Sequence, residues 1–294
     1  MFSGALVVAV GLGAAPAFGA DPLPAEPPAP AAGDPEAVDT GFLPPGLLFA
    51  QPVADRRWPR FEAGVERSYG DANITSAFAV GIGGTVPLWR SAAGDLEAGV
   101  QAGVFSTFDR EAPSLDLYNS DYVAALYVAG RSGETSWMVR GFHTSTHLGD
   151  EFVLRNPQVK RENLSFERLD GFASREFRLT EDPLRLRAYA GLGVVVGEPK
   201  PSDWGHLRGQ WGLELRRPLR GVRWAGLLLA ADVQHEDARG FAPDLSLVGG
   251  LEVPAARLHS ALQVLATYYT GRSPNGQFWR DHVQVIGLRA GFTF

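Results

Sequence analysis

The chain contains no cysteine and only 2 methionines among its 294 residues. The lack of cysteine excludes disulfide frameworks, thiolate metal sites and cysteine nucleophiles. The formal net charge is −6 and no long run of lysine or arginine occurs, which argues against nucleic acid as a partner. No apolar stretch is long enough to cross a bilayer as a helix.

The N-terminal segment has the pattern of an export signal. An apolar run extends from Ala5 to Ala15, and small residues follow at Ala17, Gly19 and Ala20. This run is too short to span a bilayer and is typical of a secretory signal, although it lacks a basic start. We expect residues 1–20 to be a cleaved signal peptide. Residues 21–58, rich in proline and alanine, predict a flexible lead-in, and residues 59–294 predict one domain.

Strict alternation of apolar with small or polar residues dominates the chain after residue 59. The stretches "LEAGVQAGVFS", "LRLRAYAGLGVVV" and "HVQVIGLRAGFTF" are examples, and twelve such runs can be counted. The segments between the runs are alternately short and long. This pattern predicts an all-β fold, a single transmembrane antiparallel β-barrel of about 12 strands, with short periplasmic turns and longer extracellular loops. The expected location is the bacterial outer membrane, with its lipid bilayer as the partner.

Soluble β-folds show the same alternation, because a β-sandwich or a lipocalin-like barrel buries its apolar face inside. Strand length, the succession of twelve hairpin-linked runs and the many strand glycines favour the membrane barrel. The terminal Phe294 resembles the signal by which bacterial outer-membrane proteins are recognised for insertion. Aromatic residues near strand ends could supply the interfacial girdles, namely Trp89, Trp137, Trp224, Tyr268 and Trp279.

Four stretches together resemble a bacterial family of outer-membrane barrels that is described only as a domain of unknown function. They are "RRWPRFEAG" from Arg56, "HTSTHLGDEFVLRNP" from His143, "PDLSLVGGLEV" from Pro243 and "SPNGQFWRD" from Ser273. The resemblance covers roughly residues 42–294. It implies the barrel fold and no particular activity.

The phase of one strand, residues 135–147, decides where its polar residues face. A charge at mid-bilayer depth costs about 2–4 kcal/mol, so Arg140 should face the lumen. His143 and Ser145 then face outward, at the lipid rim. Residues two apart on a strand lie about 6–7 Å from each other, so the imidazole can reach the hydroxyl as a general base. A third polar group must orient the imidazole, and the nearby candidates are Asp150, Glu151, Asn156 and Asn163.

The His-Xaa-Ser order on a barrel strand resembles outer-membrane phospholipase A, itself a twelve-stranded barrel, and the lipid A deacylases of the same membrane. The resemblance implies His143 as base, Ser145 as nucleophile and Asn156 or Glu151 as the orienting residue, with lipid or lipopolysaccharide as substrate. This chain departs from those enzymes after the serine. Thr146 and His147 stand where they have Asn-Gly or Asn-Ala.

A metal site is the other interpretation of residues 143–151. His143 and His147 are four apart, which on a strand separates them by about 13 Å, too far for one zinc ion. Asp150 and Glu151 could hold Ca²⁺ together with loop carbonyls. They could equally form ion pairs with Arg155, Lys160 or Arg161. We expect no other cofactor.

Two function classes follow from the sequence. The favoured one is a non-enzymatic barrel, either a small-solute channel or a structural surface protein, because polar residues collect wherever strands leave the membrane. The alternative is a lipid esterase that uses His143 and Ser145, so enzymatic activity is undecided. Charged residues at alternate strand positions are expected to face the lumen, namely Glu97, Arg185, Arg187, Arg208, Glu214 and Arg289. They either set the selectivity of a pore or pair across the lumen and close it, and pairing is favoured for twelve strands. The sequence does not specify the oligomeric state.

Overall fold

A computed structural model describes residues 39–162, 164–179, 184–219, 221–222, 224–255 and 260–293. The predicted signal peptide, the first part of the predicted lead-in, Asn163 and Phe294 lie outside these ranges. No helix in the described part of the chain is both long enough and apolar enough to cross a membrane.

Twelve long antiparallel strands form a closed barrel, as the alternation predicted. Each strand pairs with its neighbours in sequence, and the last strand, β13, pairs with β2 and closes the ring. A two-residue strand, β1, pairs with the end of β3. The bounds are β1 Gly41–Phe42, β2 Phe61–Tyr69, β3 Ser76–Arg90, β4 Leu96–Asp109, β5 Leu117–Ser132, β6 Thr135–Leu148, β7 Ser165–Arg178, β8 Arg185–Lys200, β9 Leu207–Pro218, β10 Gly226–Glu236, β11 Pro243–Ala255, β12 Ser260–Arg272 and β13 His282–Thr293.

Helical structure in the described residues is confined to the loops. One short α-helix, α1, spans Asp150–Arg155 between β6 and β7. Single 3₁₀ turns occur at Asp237–Arg239 and Gly276–Phe278. These elements lie at the end of the barrel that carries the long connections, which we take as the extracellular end.

Alternation along each strand separates a lumenal face from an outward face. On β6, Met138 and Arg140 are buried, whereas Trp137 and Val139 are exposed on the outer surface. Elsewhere on that surface Leu126 and Leu192 are 71% and 77% exposed. Large apolar side chains exposed all around a closed barrel form the lipid-facing band of a membrane protein.

The lumen is filled by the chain's own N-terminal part, here called the lumenal segment (residues 47–60). Phe49 and Trp58 are fully buried and pack on Phe172 of β7. Glu97 of β4 accepts a hydrogen bond from the backbone of Leu48 at 3.2 Å. Across the barrel, Glu214 of β9 accepts one from the backbone of Val53 at 2.8 Å. The expectation of a flexible lead-in to residue 58 is therefore wrong for this segment, because lumenal charges bind its backbone from opposite walls.

Charged lumenal side chains pair with each other, as favoured from the sequence. Arg90 and Glu97 lie 2.7 Å apart, Arg140 and Asp170 lie 3.0 Å apart, and Arg187 and Glu214 lie 3.2 Å apart. Others bind the lumenal segment directly, such as Arg289, whose Nη2 donates to the carbonyl of Val53 at 2.6 Å. Such pairing offsets the cost of burying these charges. The exception is Arg185, which is exposed at the start of β8.

The loop between β12 and β13 folds over the outer end of the lumen. The ring of Phe278 stacks on Tyr118 of β5 with centroids 4.3 Å apart. The side chain of Gln277 donates to the carbonyl of Thr146 at 3.1 Å and to that of Glu162 at 2.6 Å. The "NGQF" stretch thus ties this loop to the loop between β6 and β7. Both the lumenal segment and this loop obstruct the pore.

Candidate functional site

His143 and Ser145 lie on the outward face of β6, near its extracellular end. His143 is exposed and Ser145 is half-buried, while Phe142 before them and Thr146 after them are buried toward the lumen and Thr144 between them is half-buried. The orientation predicted from Arg140 is therefore confirmed, because Arg140 is buried and paired with Asp170. No bulge interrupts the pairing of β6 with β5 or β7 at the site, so β6 presents both residues to the lipid rim.

The imidazole of His143 is oriented by a carboxylate on the next strand. Its Nδ1 lies 2.9 Å from Oε1 of Glu167, and the two residues are directly paired between β6 and β7. An ionised carboxylate only accepts hydrogen bonds, so Nδ1 carries the proton of the neutral ring. The unprotonated Nε2 is then the basic atom of His143. The pair is solvent- or lipid-accessible, with His143 48% and Glu167 64% exposed.

Ser145 follows His143 by two residues on the same face. Its cross-strand partners are Tyr122 on β5 and Ser165 on β7. The expected separation of the two Cα atoms along the strand is about 6–7 Å. In the described residues no hydrogen bond joins His143 to Ser145. Side-chain rotation can bring the imidazole and the hydroxyl together at this spacing, and such contacts commonly tighten only when substrate binds.

The orienting residues expected from the sequence lie elsewhere. Glu151 is exposed in the first turn of α1. Asn156 ends the same helix, where its side chain donates to the carbonyl of Phe152 at 2.9 Å. Neither forms a hydrogen bond with His143 in the described residues. The structure instead brings Glu167 to the imidazole, a residue that the sequence reasoning missed.

The suggested Ca²⁺ site has only part of the oxygen ligands that the ion requires. Asp150 and Glu151 are adjacent exposed carboxylates at the start of α1. Ca²⁺ takes six to eight oxygen ligands. Across the described ranges no three His, Asp or Glu side chains are grouped so that they could hold a metal ion. Loop carbonyls would have to supply the remaining ligands, and a Ca²⁺ site at Asp150 and Glu151 stays a prediction.

Apolar side chains surround His143 and Ser145 on the outer surface. Tyr122 is 43% exposed next to Ser145, and Ala124 lies beside His143 on β5. On the other side Val196 of β8, paired with Glu167, is 58% exposed. A polar cluster within such a surface lies where the hydrocarbon of the bilayer meets the head groups. It can therefore contact the ester region of a lipid.

A separate cavity of about 150 Å³ lies inside the lumen, between the lumenal segment and the loop that covers the outer end. Arginine and acidic side chains line it, and most of them are engaged with each other. Arg168 lies 2.8 Å from Asp170, and Arg57 forms an ion pair with Asp121. Because these charges largely neutralise each other, this cavity is a weaker candidate site than the outward cluster.

The closed twelve-stranded barrel and its exposed apolar perimeter define a bacterial outer-membrane β-barrel. The chain belongs to the family described as "Protein of unknown function (DUF1207)", whose model matches residues 26–294. No curated protein matches the chain.

Solved structures with a similar fold include two phospholipases. The chain is similar to outer membrane phospholipase A from Escherichia coli, with a TM-score of 0.55 at 12% identity, covering 79% of this chain and 92% of that one. It is also similar to the outer membrane phospholipase of Salmonella typhi, a dimer with bound calcium, with a TM-score of 0.52 at 12% identity, covering 79% and 90%. At these identities the likeness shows the fold alone.

Proposed function

We propose that this barrel hydrolyses ester bonds of outer-membrane lipids, with Ser145 as nucleophile, His143 as general base and Glu167 as the residue that orients His143. The observation that carries the proposal is the 2.9 Å contact between His143 Nδ1 and Glu167 Oε1, on the lipid-facing surface and two residues from Ser145. Nucleophile, base and orienting group together form the catalytic triad of serine esterases. The similar fold of two phospholipases supports the substrate class.

The chemistry follows from these roles. Nε2 of His143 takes the proton of the Ser145 hydroxyl while Oγ attacks the carbonyl carbon of the ester. The bond between the carbonyl carbon and the alcohol oxygen then breaks, and His143 returns the proton to the departing alcohol. Water attacks the acyl-serine in the same way and releases the fatty acid. Throughout, the carboxylate of Glu167 stabilises the imidazolium that forms.

The competing function is that of a non-enzymatic surface barrel. It is favoured by the absence, in the described residues, of a hydrogen bond between His143 and Ser145. The channel form of this alternative is disfavoured, because the lumenal segment fills the barrel and the loop around Phe278 covers its outer end.

Ser145→Ala tests the proposal. Purified barrel in vesicles of phosphatidylethanolamine and phosphatidylglycerol should release fatty acid, and the variant should release none. The variant should still be folded, which is shown by a gel mobility that changes on heating, as in the wild-type barrel. Ser165→Ala, on the paired strand β7, is the matched control and should stay active. Assays with Ca²⁺ and with a chelator show whether the ion contributes. If the wild-type barrel releases no fatty acid in either condition, the non-enzymatic alternative is correct.

We also propose that residues 1–20 direct export of the protein and are then cleaved. The mature protein then inserts into the outer membrane. The alternation of the strands and the exposed apolar band support this location. N-terminal sequencing of protein from outer-membrane fractions should give a first residue close to Ala20 or Asp21. An intact Met1 in that fraction would contradict cleavage.

A further inference from the structure

A lipid-facing groove lies below the candidate site on the outer surface of β6 to β9. Its volume is about 670 Å³, and its two ends are marked by the indoles of Trp137 and Trp211. These two positions belong to one row of paired residues across four strands. The floor between them contains the small residues Gly171, Ala173, Ala190 and Gly209, and the side chain of Leu192, which is 77% exposed, stands between the two glycines.

The floor glycines are not required by the fold. A β-carbon added at Gly171 or at Gly209 would have no neighbouring heavy atom within 4 Å, and neither residue has a positive φ. Strands favour branched and aromatic residues, and glycine weakens them. A β-carbon added at Gly141, on β6 between His143 and the groove, would also have no neighbouring heavy atom within 4 Å. Among the described strand glycines, the same holds for Gly84 on β3. Larger side chains would therefore fit at these glycines, and packing inside the barrel does not explain why the surface is low there.

The groove walls are held in place. The indole N–H of Trp211 donates to Nε2 of His235 at 3.4 Å, and Nδ1 of His235 lies 2.8 Å from the carbonyl of Phe241. Trp137 lies over Gly130 so closely that a β-carbon at Gly130 would meet its indole at 2.6 Å. The two aromatic side chains thus bound a shallow, open depression on the outer surface.

We propose that this groove binds the acyl chain of the lipid whose ester lies at Ser145. This inference rests on the proposed function and adds the position of the substrate's chain. From His143 to Val139, at the upper wall of the groove, the strand runs about 13 Å toward the middle of the bilayer. A chain attached to an ester at head-group depth extends in that direction. The groove has the matching chemistry, because its lining is mostly apolar.

Photolabelling tests chain binding independently of hydrolysis. The Ser145→Ala barrel is placed in vesicles of phosphatidylethanolamine and phosphatidylglycerol that contain a phospholipid with a diazirine in its acyl chain. After irradiation, adducts mapped by mass spectrometry should concentrate on the outward residues of β6 to β9. Adducts spread evenly around the twelve strands would overturn the proposal.

Filling the groove tests its role in substrate selection. Ala173→Leu and Ala190→Leu should each lower the ratio of long-chain to short-chain ester hydrolysis about tenfold, because side chains then occupy the space of the chain. Ala266→Leu is the matched control, since Ala266 is an exposed outward alanine on β12, four to five strands away around the barrel, and should leave the ratio unchanged. An unchanged ratio in all three variants overturns the groove assignment.

The two proposals fail in different ways. A wild-type barrel that hydrolyses no ester removes the proposed function, while photolabelling of the Ser145→Ala barrel still decides whether the groove holds a chain. If the barrel is active but the adducts are spread evenly, the proposed acyl-chain groove is wrong and the proposed esterase activity stands.

Discussion

Nδ1 of His143 and Oε1 of Glu167 lie 2.9 Å apart at directly paired positions of β6 and β7. The ladder between the two strands sets this contact, because paired residues on one face of a sheet have neighbouring side chains. A site built on two strands of a closed barrel is held more firmly than one built on a loop. The contact therefore orients the imidazole of His143 before any substrate arrives.

Glu167→Gln should lower kcat roughly 100-fold or more with little change in KM. The amide cannot stabilise the imidazolium as a carboxylate does, and its NH₂ can select the wrong tautomer of His143. The measurement is fatty-acid release from phospholipid vesicles at several substrate concentrations. Glu167→Asp should restore part of the activity, as a positioning carboxylate requires.

Glu176→Gln is the matched control for that change. Glu176 lies on the same strand and forms an exposed ion pair with Arg131 at 2.7 Å, far from His143 along β7. Its substitution should leave kcat unchanged. Equal losses in both glutamine variants would indicate a general effect on β7 and would contradict the role of Glu167.

The intact barrel should show no steady conductance in planar bilayers. Two obstructions close the lumen, since Trp58 and its segment fill it and Phe278 anchors the loop that covers its outer end. A variant that lacks residues 21–58 and carries Phe278→Ala removes one obstruction and loosens the other, so it should conduct ions. Steady openings of the wild-type protein would restore the channel hypothesis.

The strands and their orientation could be predicted because a bilayer imposes one rule on every strand. Side chains that face hydrocarbon must be apolar, so the alternation and the single charge of Arg140 fix which face of β6 is outward. The same rule places His143 and Ser145 at the rim. These features follow from local sequence and the solvent alone.

Glu167 could not be predicted because strand register is not local. The candidates chosen from the sequence, Glu151 and Asn156, were close to Ser145 along the chain, but the loop that contains α1 carries them away from the imidazole. Pairing of β6 with β7 brings in a residue 24 positions from His143. Alternation on β7 from Leu169 gives Glu167 the outward face, and that signal would have narrowed the choice.

The lumenal segment was missed because its composition resembles that of a flexible linker. Proline-rich chain buries little apolar surface by itself. Here the barrel supplies the partners, and lumenal Glu97, Glu214 and Arg289 bind the segment's backbone groups. The strand pattern indicated that these charged side chains face the lumen, but it did not indicate which polar groups would form hydrogen bonds or ion pairs with them.

Trp58→Ala should lower the free energy of unfolding by about 3–5 kcal/mol, the usual cost of removing a large buried aromatic side chain. Trp58 is fully buried, stacks on Phe49 with ring centroids 6.0 Å apart, and lies 4.3 Å from the guanidinium carbon of Arg140. Urea unfolding in detergent micelles provides the measurement. Trp224→Ala, at a residue that is 67% exposed, is the control and should change stability far less. Similar losses for both would mean that the lumenal segment adds little to stability.

Acid should loosen the contact between the loops that follow β8 and β12. Arg280 holds Asp203 through two hydrogen bonds of 2.6 and 3.1 Å, and these bonds lower the pKa of Asp203 below its usual range. A carboxyl group with a lowered pKa stabilises the folded contact above its ordinary pKa, and this stabilisation is lost as the pH falls through the lowered value. The contact should therefore persist through the neutral range and open only below about pH 4.

Tryptophan fluorescence can follow this change, because Trp279 lies next to Arg280 and contacts Trp204 with ring centroids 5.0 Å apart. Asp203→Asn should give the acid spectrum already at neutral pH, since the amide cannot form the ion pair. Asp150→Asn, at an exposed carboxylate of a neighbouring loop, should keep the wild-type acid transition. If Asp203→Asn keeps the full transition, another group controls the loops, and Asp281 is the first to examine because burial raises its pKa.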